Sequence, residues 1–560
     1  MTYRKWSSLW SVLAFALSAS SGFAQAITDV AAPATPVPAP AAPAASVIRQ
    51  IIITDTVEAA QQQNALPERG YVVVQPSVSF LDEKELAKRL AAGEGRPAEE
   101  RLLAGIALVI ETYAREKDFP IASAVIPPQN LAGGVVRVAL LRGKIRDIKV
   151  PNARWFSESL LREKLRLERG ESLKISELDR AVTWTNTNPF RRVRVHIQPV
   201  DAGEADIIVG IEEKLPVRLT ASYDNTGNDI LGKNRYVAGV TFGNAWGRDH
   251  QVSYQFITSD DIEIFRAHAF DYRIPLRWRH VLNFSGSYVE ANPTFFNGLF
   301  TQKGESINAD AKYIIPFRHQ RWRGEVSTAL SFKETNNNLE FGGTPQLSAT
   351  IDVLTGTFAA VAIREDKRGH WLVSSSFVGS AGDFNSRSTR DSYNTSRLGA
   401  NPNFYYTQVS GQRTTTLTPR LTSTARGLFQ IASTNLVPTE QFSVGGLSTV
   451  RGYEERILSG DTGYSFTHEL QYRLNPITLS KRLPKLDWAG LFFADYGRVI
   501  QKKPLIGQRK SDFLLSTGVG LRASVGQYFS ASVDYARQIE EVELPGASHD
   551  QVHVRVTFSY

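Results

Sequence analysis

The 560-residue sequence contains no cysteine and a single methionine. Without thiols, disulfides, thiolate metal sites and thiol nucleophiles are excluded, so pairing and burial alone must hold the fold. Also missing, beyond the N-terminal region, is any run of the roughly 18 apolar residues that a membrane-crossing helix needs. Yet 42% of the residues are hydrophobic, so the apolar material is distributed along the chain rather than concentrated. The formal net charge is +8, but the basic residues are dispersed, with no stripe or patch of the kind that tracks a phosphate backbone. Nucleic acid is therefore not an expected partner.

At the N-terminus, Arg4 and Lys5 precede an apolar run from Leu9 to Leu17. Small residues follow, with Gly22-Phe23-Ala24 or Ala24-Gln25-Ala26 as cleavage sites. This is the pattern of a secretory signal peptide, residues 1–24, whose apolar core is too short to anchor the chain. Residues 25–46 are rich in Ala and Pro, most densely from Ala31 to Ala45. Such a segment samples extended geometry and buries no core, so it reads as a tether.

From residue 47 to 214 the periodicity is mixed and repeats. Leu103, Ile106, Ile110 and Tyr113 mark one face of a helix. Two short strands follow, Ala122 to Ile126 and Val135 to Leu141, separated by Pro127-Pro128 and Gly133-Gly134. A second unit opens with a strand from Lys144 to Val150. It continues with a helix from Ser157 and another from Ser176, where Asp179 suits a capping box. Strands Arg192 to Ile197 and Ala205 to Ile211 complete it. Pro120 and Gly134 match Pro189 and Gly203 at a common offset of 69 residues. The expectation is two duplicated β-α-α-β-β modules, 47–145 and 146–214, with the first strand of the first module ambiguous between Ile51-Ile52-Ile53 and Tyr71-Val72-Val73-Val74.

From Pro216 onward helical periodicity gives way to short alternating segments broken by Gly, Asn, Asp and Pro. In the last one Val552, Val554, Val556, Phe558 and Tyr560 share one face, and His553, Arg555, Thr557 and Ser559 the other. Tyr236, Ala238, Val240 and Phe242 repeat the pattern, as do Phe529, Ala531, Val533 and Tyr535. A soluble sandwich also alternates. However, many segments reach the ten or so residues of a tilted membrane crossing, and aromatics repeatedly end the apolar face. Lipid forbids open sheet edges, so the sheet must close. Sixteen candidate strands are counted, which predicts a transmembrane β-barrel over 216–560 in a bacterial outer membrane. An even count returns the C-terminus to the periplasm.

Catalytic patterns fail on inspection. Gly227 to Lys233 spells most of a phosphate loop, but Asn234 replaces Ser or Thr and no helix follows, which leaves a hairpin loop. His468-Glu469 starts like a zinc-protease motif, yet Tyr472 stands where the second His belongs. No Gly-x-Ser-x-Gly elbow is present. No enzyme activity, catalytic residue, metal or cofactor is expected.

Counting strands places a long loop, 433–463, as the sixth on the outer side. It carries Val450-Arg451-Gly452-Tyr453. On the following strand Trp488, Phe492, Ala494 and Tyr496 take the lipid face, so Leu491, Phe493, Asp495 and Gly497 face the lumen. If the loop folds inward, Arg451 can reach Asp495 with a two-pronged contact that Lys would not reproduce. If it does not, Arg451 is a solvated side chain and Asp495 one polar wall residue among many.

Together, Val450-Arg451-Gly452-Tyr453 and Phe493-Ala494-Asp495-Tyr496-Gly497 resemble the Omp85 superfamily over nearly all of the mature chain. Two modules rather than three or five resemble its two-partner secretion transporters, the ShlB/FhaC/HecB hemolysin secretion/activation type. Tyr113 to Gly143, with Pro127-Pro128-Gln129-Asn130-Leu131, is similar to the end of a first POTRA module, and Asn186 to Gly203, with Pro189, to that of a second. The resemblance implies periplasmic POTRA modules, a sixteen-stranded barrel, a sixth loop inside the lumen and the Arg451 to Asp495 pair. It also implies a function: recruiting a large, unfolded, β-rich exoprotein and passing it outward, with activation of a hemolysin or adhesin client as one form of that task. Outer-membrane lipid and lipopolysaccharide are the other expected partners. Relatives often carry an N-terminal plug helix, which the short Pro-rich 25–46 segment does not suit. An insertase of outer-membrane proteins and a passive diffusion channel are the competing readings.

Overall fold

The computed structural model describes residues 47–62, 70–201, 203–228, 230–295, 300–336, 338–341, 344–347, 350–541 and 549–560. The expected signal peptide and tether lie outside the described residues. The chain forms two compact units that divide between Leu215 and Pro216.

In the first unit two sheets each carry helices on one face. The first sheet has the order Val72–Val74, Gln50–Thr54, Val135–Leu141, Ser123–Val125. Both candidates for its first strand are thus strands, paired in parallel. Helices Val57–Gln61 and Glu83–Leu90, which carry no long apolar period, separate Val72–Val74 from its neighbours in sequence. Helix Glu100–Glu116 buries the expected face, Leu103, Ile106, Ile110 and Tyr113, against this sheet. Each such side chain contributes about 1.5–3 kcal/mol.

The second sheet has the order Lys144–Lys149, Glu204–Glu213, Arg191–Asp201, with helices Glu158–Leu165 and Ile175–Thr185. Strand Lys144–Lys149 straddles the expected boundary at 145/146 and pairs entirely within this sheet. The duplication is visible in the backbone. Gly134 and Gly203 both hold positive φ, +71° and +77°. Their carbonyls accept from Arg49 N–H and Lys144 N–H, each at 2.7 Å, as each module begins its first strand.

One expected cap is corrected. Ser157 caps its helix as anticipated, accepting from Leu160 N–H. At the next helix Lys174 occupies the cap position, and Ser176 makes no capping box. Its N–H and hydroxyl donate to the Asp118 carboxylate at 2.6 and 2.5 Å. The cap therefore comes from the first module, a long-range substitution that local spacing does not reveal.

The second unit is a closed antiparallel barrel of sixteen principal strands. Strand 1 is Val217–Asp224; strands 7 to 11 are Trp322–Asn336, Thr350–Asp366, Gly369–Ser380, Phe404–Thr416 and Leu421–Ala432. Strands 12 to 16 are Thr462–Arg473, Leu486–Ile500, Ser511–Val525, Phe529–Gln538 and Asp550–Ser559. Alternation sorts side chains by face: Phe492 is 53% exposed on the outside while Phe493 is fully buried within. The ring closes where strand 16 pairs strand 1 over a register running only from Arg555 opposite Asp224 to Ser559 opposite Thr220. The Asn225 side chain lengthens this seam, donating to Val552 O at 2.7 Å and accepting from Val554 N–H at 2.8 Å. In the predicted hairpin loop after strand 1, of which Asp229 lies outside the described residues, Gly227 N–H donates to Lys233 O.

Candidate functional site: the sixth loop and the barrel wall

The sixth loop, between Ala432 and Thr462, folds into the barrel. Its stem is a short hairpin, Phe442–Val444 against Leu458–Gly460. Val444, Val450 and Tyr453 pack with Val499 and Leu514 of the wall into a dry cluster. The packing is close at Gly497, where a Cβ would lie 2.8 Å from Val450 and 2.9 Å from Val444 side-chain atoms. Glycine at 497 is thus the space into which the loop seats.

Arg451 sits at the tip, 4% exposed. Its Nε and Nη2 donate to the two oxygens of Asp495 at 2.6 and 2.8 Å, and its own backbone N–H adds a bond to the same carboxylate at 3.2 Å. The guanidinium lies over the Phe493 ring, 3.4 Å from its centroid. Nη1 donates to Glu469 Oε1 at 2.7 Å and lies 3.7 Å from Asp534, which is itself held in a fork by Arg522. Two cations thus meet three carboxylates. A planar five-donor group can satisfy this arrangement, and a Lys ammonium cannot.

The neighbouring residues fasten the tip further. Gly452 N–H donates to His553 Nε2 at 3.0 Å, so that nitrogen carries no proton, and Gln538 donates to Gly452 O at 2.6 Å. The Tyr453 hydroxyl donates to Leu515 O at 2.8 Å and also contacts Glu540 O. The tip therefore touches strands 12 to 16, one after another. Of these partners, Phe493, Asp495 and Gly497 stand out in the sequence. Glu469 sits there in the failed zinc motif, and Asp534, Gln538 and His553 belong to no motif. The available signal was the lumen-facing parity of these positions, which marks a direction but not a contact.

The expected module residues belong to the first unit. Pro127 and Leu131 are buried, and Pro128 is exposed. Gln129 bridges the turn: its amide accepts from Arg137 N–H and donates to Arg137 O, both at 2.8 Å. Pro189 precedes strand Arg191–Asp201, and Gly203 makes the turn into Glu204–Glu213.

Residues 203–523 match the family described as Haemolysin secretion/activation protein ShlB/FhaC/HecB. The heme/hemopexin transporter protein HuxB of Haemophilus influenzae (strain 86-028NP) is 23% identical over 476 residues, covering 81% of this chain and 80% of that protein. The solved structure of CdiB from Escherichia coli superposes with a TM-score of 0.71 at 16% identity, covering 98% of this chain and 96% of the other. CdiB from Acinetobacter baumannii gives 0.62 at 17%, covering 92% and 90%. The match spans more than half of the sequence, and this chain belongs to the ShlB/FhaC/HecB family: it is an outer-membrane transporter of two-partner secretion.

Proposed function

We propose that the barrel lumen is the path of a large β-rich exoprotein, and that Val450-Arg451-Gly452-Tyr453 seated on Phe493, Asp495 and Gly497 is the closed state of that path. The observation that carries this reading is the forked Arg451 to Asp495 contact, made by a loop tip that spans five consecutive wall strands. A loop so held fills the lumen, and its release makes room for an extended chain. The two modules, 47–143 and 144–214, recruit the client. Their sheets end in the edge strands Val72–Val74 and Ser123–Val125, and Lys144–Lys149 and Arg191–Asp201. Such edges bind an extended segment through main-chain bonds with loose sequence demands. The sequence offers no nucleotide-binding motif, so client folding outside supplies the drive.

Lipid is the second partner. The seven turns at the end of the barrel where strand 1 begins hold ten Lys or Arg and one carboxylate, Asp249. Exposed Trp246 and Trp278 stand among them. Cations and amphipathic aromatics at this level suit anionic headgroups of the periplasmic leaflet, and lipopolysaccharide lies on the opposite side.

The test is secretion of the client by cells carrying Asp495→Ala. Loss of secretion with a folded barrel, seen as the heat-dependent mobility shift of barrels on gels, is expected. Secretion at the normal rate overturns the gate role.

A further inference from the structure

Away from the tip a second cluster holds the sixth loop, using none of the residues that seat the tip. Asp461 closes the loop immediately before strand 12 and is fully buried. Arg397, from the loop between strands 9 and 10, forks onto it at 2.6 and 3.2 Å. The remaining lone pairs of Asp461 accept from Leu436 N–H, at the other end of the sixth loop, and from Lys502 N–H, in the next outer loop, both at 2.8 Å. Arg397 also donates to Gln501 Oε1 at 2.7 Å and to Leu436 O. Asn435 repeats the tie, exchanging two bonds with the backbone of Lys503. One carboxylate thus joins three consecutive outer loops.

The segment that delivers Arg397 is fastened at its other end as well. Arg387 donates to Glu334 at 2.7 Å on strand 7. Asn385 donates to Asp352 at 2.6 Å on strand 8, and the Tyr393 hydroxyl to Asp352 O at 3.1 Å. Beneath it Tyr393, Ala400, Leu436 and Val437 pack with Ile351 and Phe404 into a buried apolar cluster. Residues 385–397 therefore run as a strap from strands 7 and 8 to the outer ends of strands 12 and 13, crossing over the strands between them.

We propose that this strap is a second closure, at the outer mouth of the lumen, with Asp461 as its latch and Arg397 as its positioning residue. It holds the fifth, sixth and seventh outer loops as one roof. The two closures share the sixth loop but no side chain, so each can be released separately. A path for a client needs the tip withdrawn from Asp495 and the roof parted at Asp461. The proposal rests on the lumen being the path, and its test is kept independent of the client.

The experiment is ion conductance of the purified full-length protein in planar lipid bilayers. Asp461→Asn keeps shape but loses the charge that binds the fork, and Arg397→Gln leaves Asp461 its backbone donors. In an Asp495→Ala background, which frees the tip, each is expected to raise resting conductance several-fold over Asp495→Ala alone while the heat-dependent mobility shift of a folded barrel is retained. Adding Asp461→Asn and Arg397→Gln together to that background is expected to be no leakier than adding either alone, because both substitutions break one contact. Arg397→Lys, which reaches one oxygen rather than two, is expected to be intermediate. If Asp461→Asn does not fold, the comparison stands on Arg397→Gln and Arg397→Lys. Conductance in folded Asp495→Ala/Arg397→Gln equal to that of Asp495→Ala overturns the latch, whatever the secretion assay shows for Asp495→Ala.

Discussion

Removing the Asp495 carboxylate leaves the Arg451 guanidinium buried with Glu469 as its nearest remaining acceptor. Breaking one side of a buried pair costs roughly 3–5 kcal/mol, enough to shift a docked loop toward an undocked state by a factor of a hundred or more. Arg451→Lys tests geometry rather than charge. A single ammonium cannot bridge both oxygens of Asp495 and reach Glu469, so secretion is expected to fall toward the level of Asp495→Ala, and secretion near wild type would show that charge alone suffices. Gly497→Ala probes the seat instead. Its Cβ would press on Val444 and Val450, an overpacking cost of about 1–3 kcal/mol. The expected readout is faster protease cleavage within the sixth loop of the assembled barrel, and unchanged cleavage would contradict the seating. At this scale the sequence exposed one partner of Arg451 and hid the rest. Asp495 was legible because a motif and an inward parity coincided. Glu469, Asp534 and His553 come from three different strands, and their convergence depends on how far a loop reaches across the lumen, which alternation does not encode.

In the modules, the elements were legible wherever a long apolar period existed, as in helix Glu100–Glu116. They were not where a short strand such as Val72–Val74 depends on a parallel neighbour for its identity. The Asp118 cap of helix Ile175–Thr185 was not legible for the same reason: an acceptor far away in sequence took the place of a local one. Two side chains here carry measurable consequences. Gln129→Ala removes two bonds to Arg137 at about 1 kcal/mol each. It is expected to lower the urea concentration at which the first module becomes protease-sensitive, with no change in the barrel. Asp206, on strand Glu204–Glu213, is held well below the ordinary carboxylate range by Arg146 and then Lys149. Its folded value is depressed, so its stabilising effect is complete above the unfolded carboxylate range and is lost only as pH falls toward the folded value. Amide exchange in strand Lys144–Lys149 should therefore be faster in Asp206→Asn than in wild type at neutral pH. The difference should close only well below about pH 4.

For the whole molecule, alternation and lipid's intolerance of open edges were enough to read a closed sixteen-stranded barrel before any contact was known. What they could not supply was how the lumen is filled. Replacing Lys481, Arg482 and Lys485 by Gln discharges the longest of the turns at the periplasmic end. Retention of phosphatidylglycerol by the purified protein is expected to drop, and equal retention by wild type and variant would remove the lipid assignment. A transporter serving its own client also differs from a general insertase in the cell: depletion is expected to stop one secreted protein and leave the outer-membrane proteome unchanged, as proteomic comparison would report.

The seam between strand 16 and strand 1 has a kinetic meaning as well. It joins Asn225 to Val554, 329 residues apart in sequence, so the ring cannot close until strand 16 has been exported. Every strand between them can pair with the one just before it, while strand 1 waits with a bare edge for strand 16, fifteen strands later. Biogenesis of this barrel therefore ends in a single long-range zippering event over a short register. The exported chain must be shielded from aggregation until that event occurs, and loss of strand 16 would leave two unpaired edges that the membrane cannot accept.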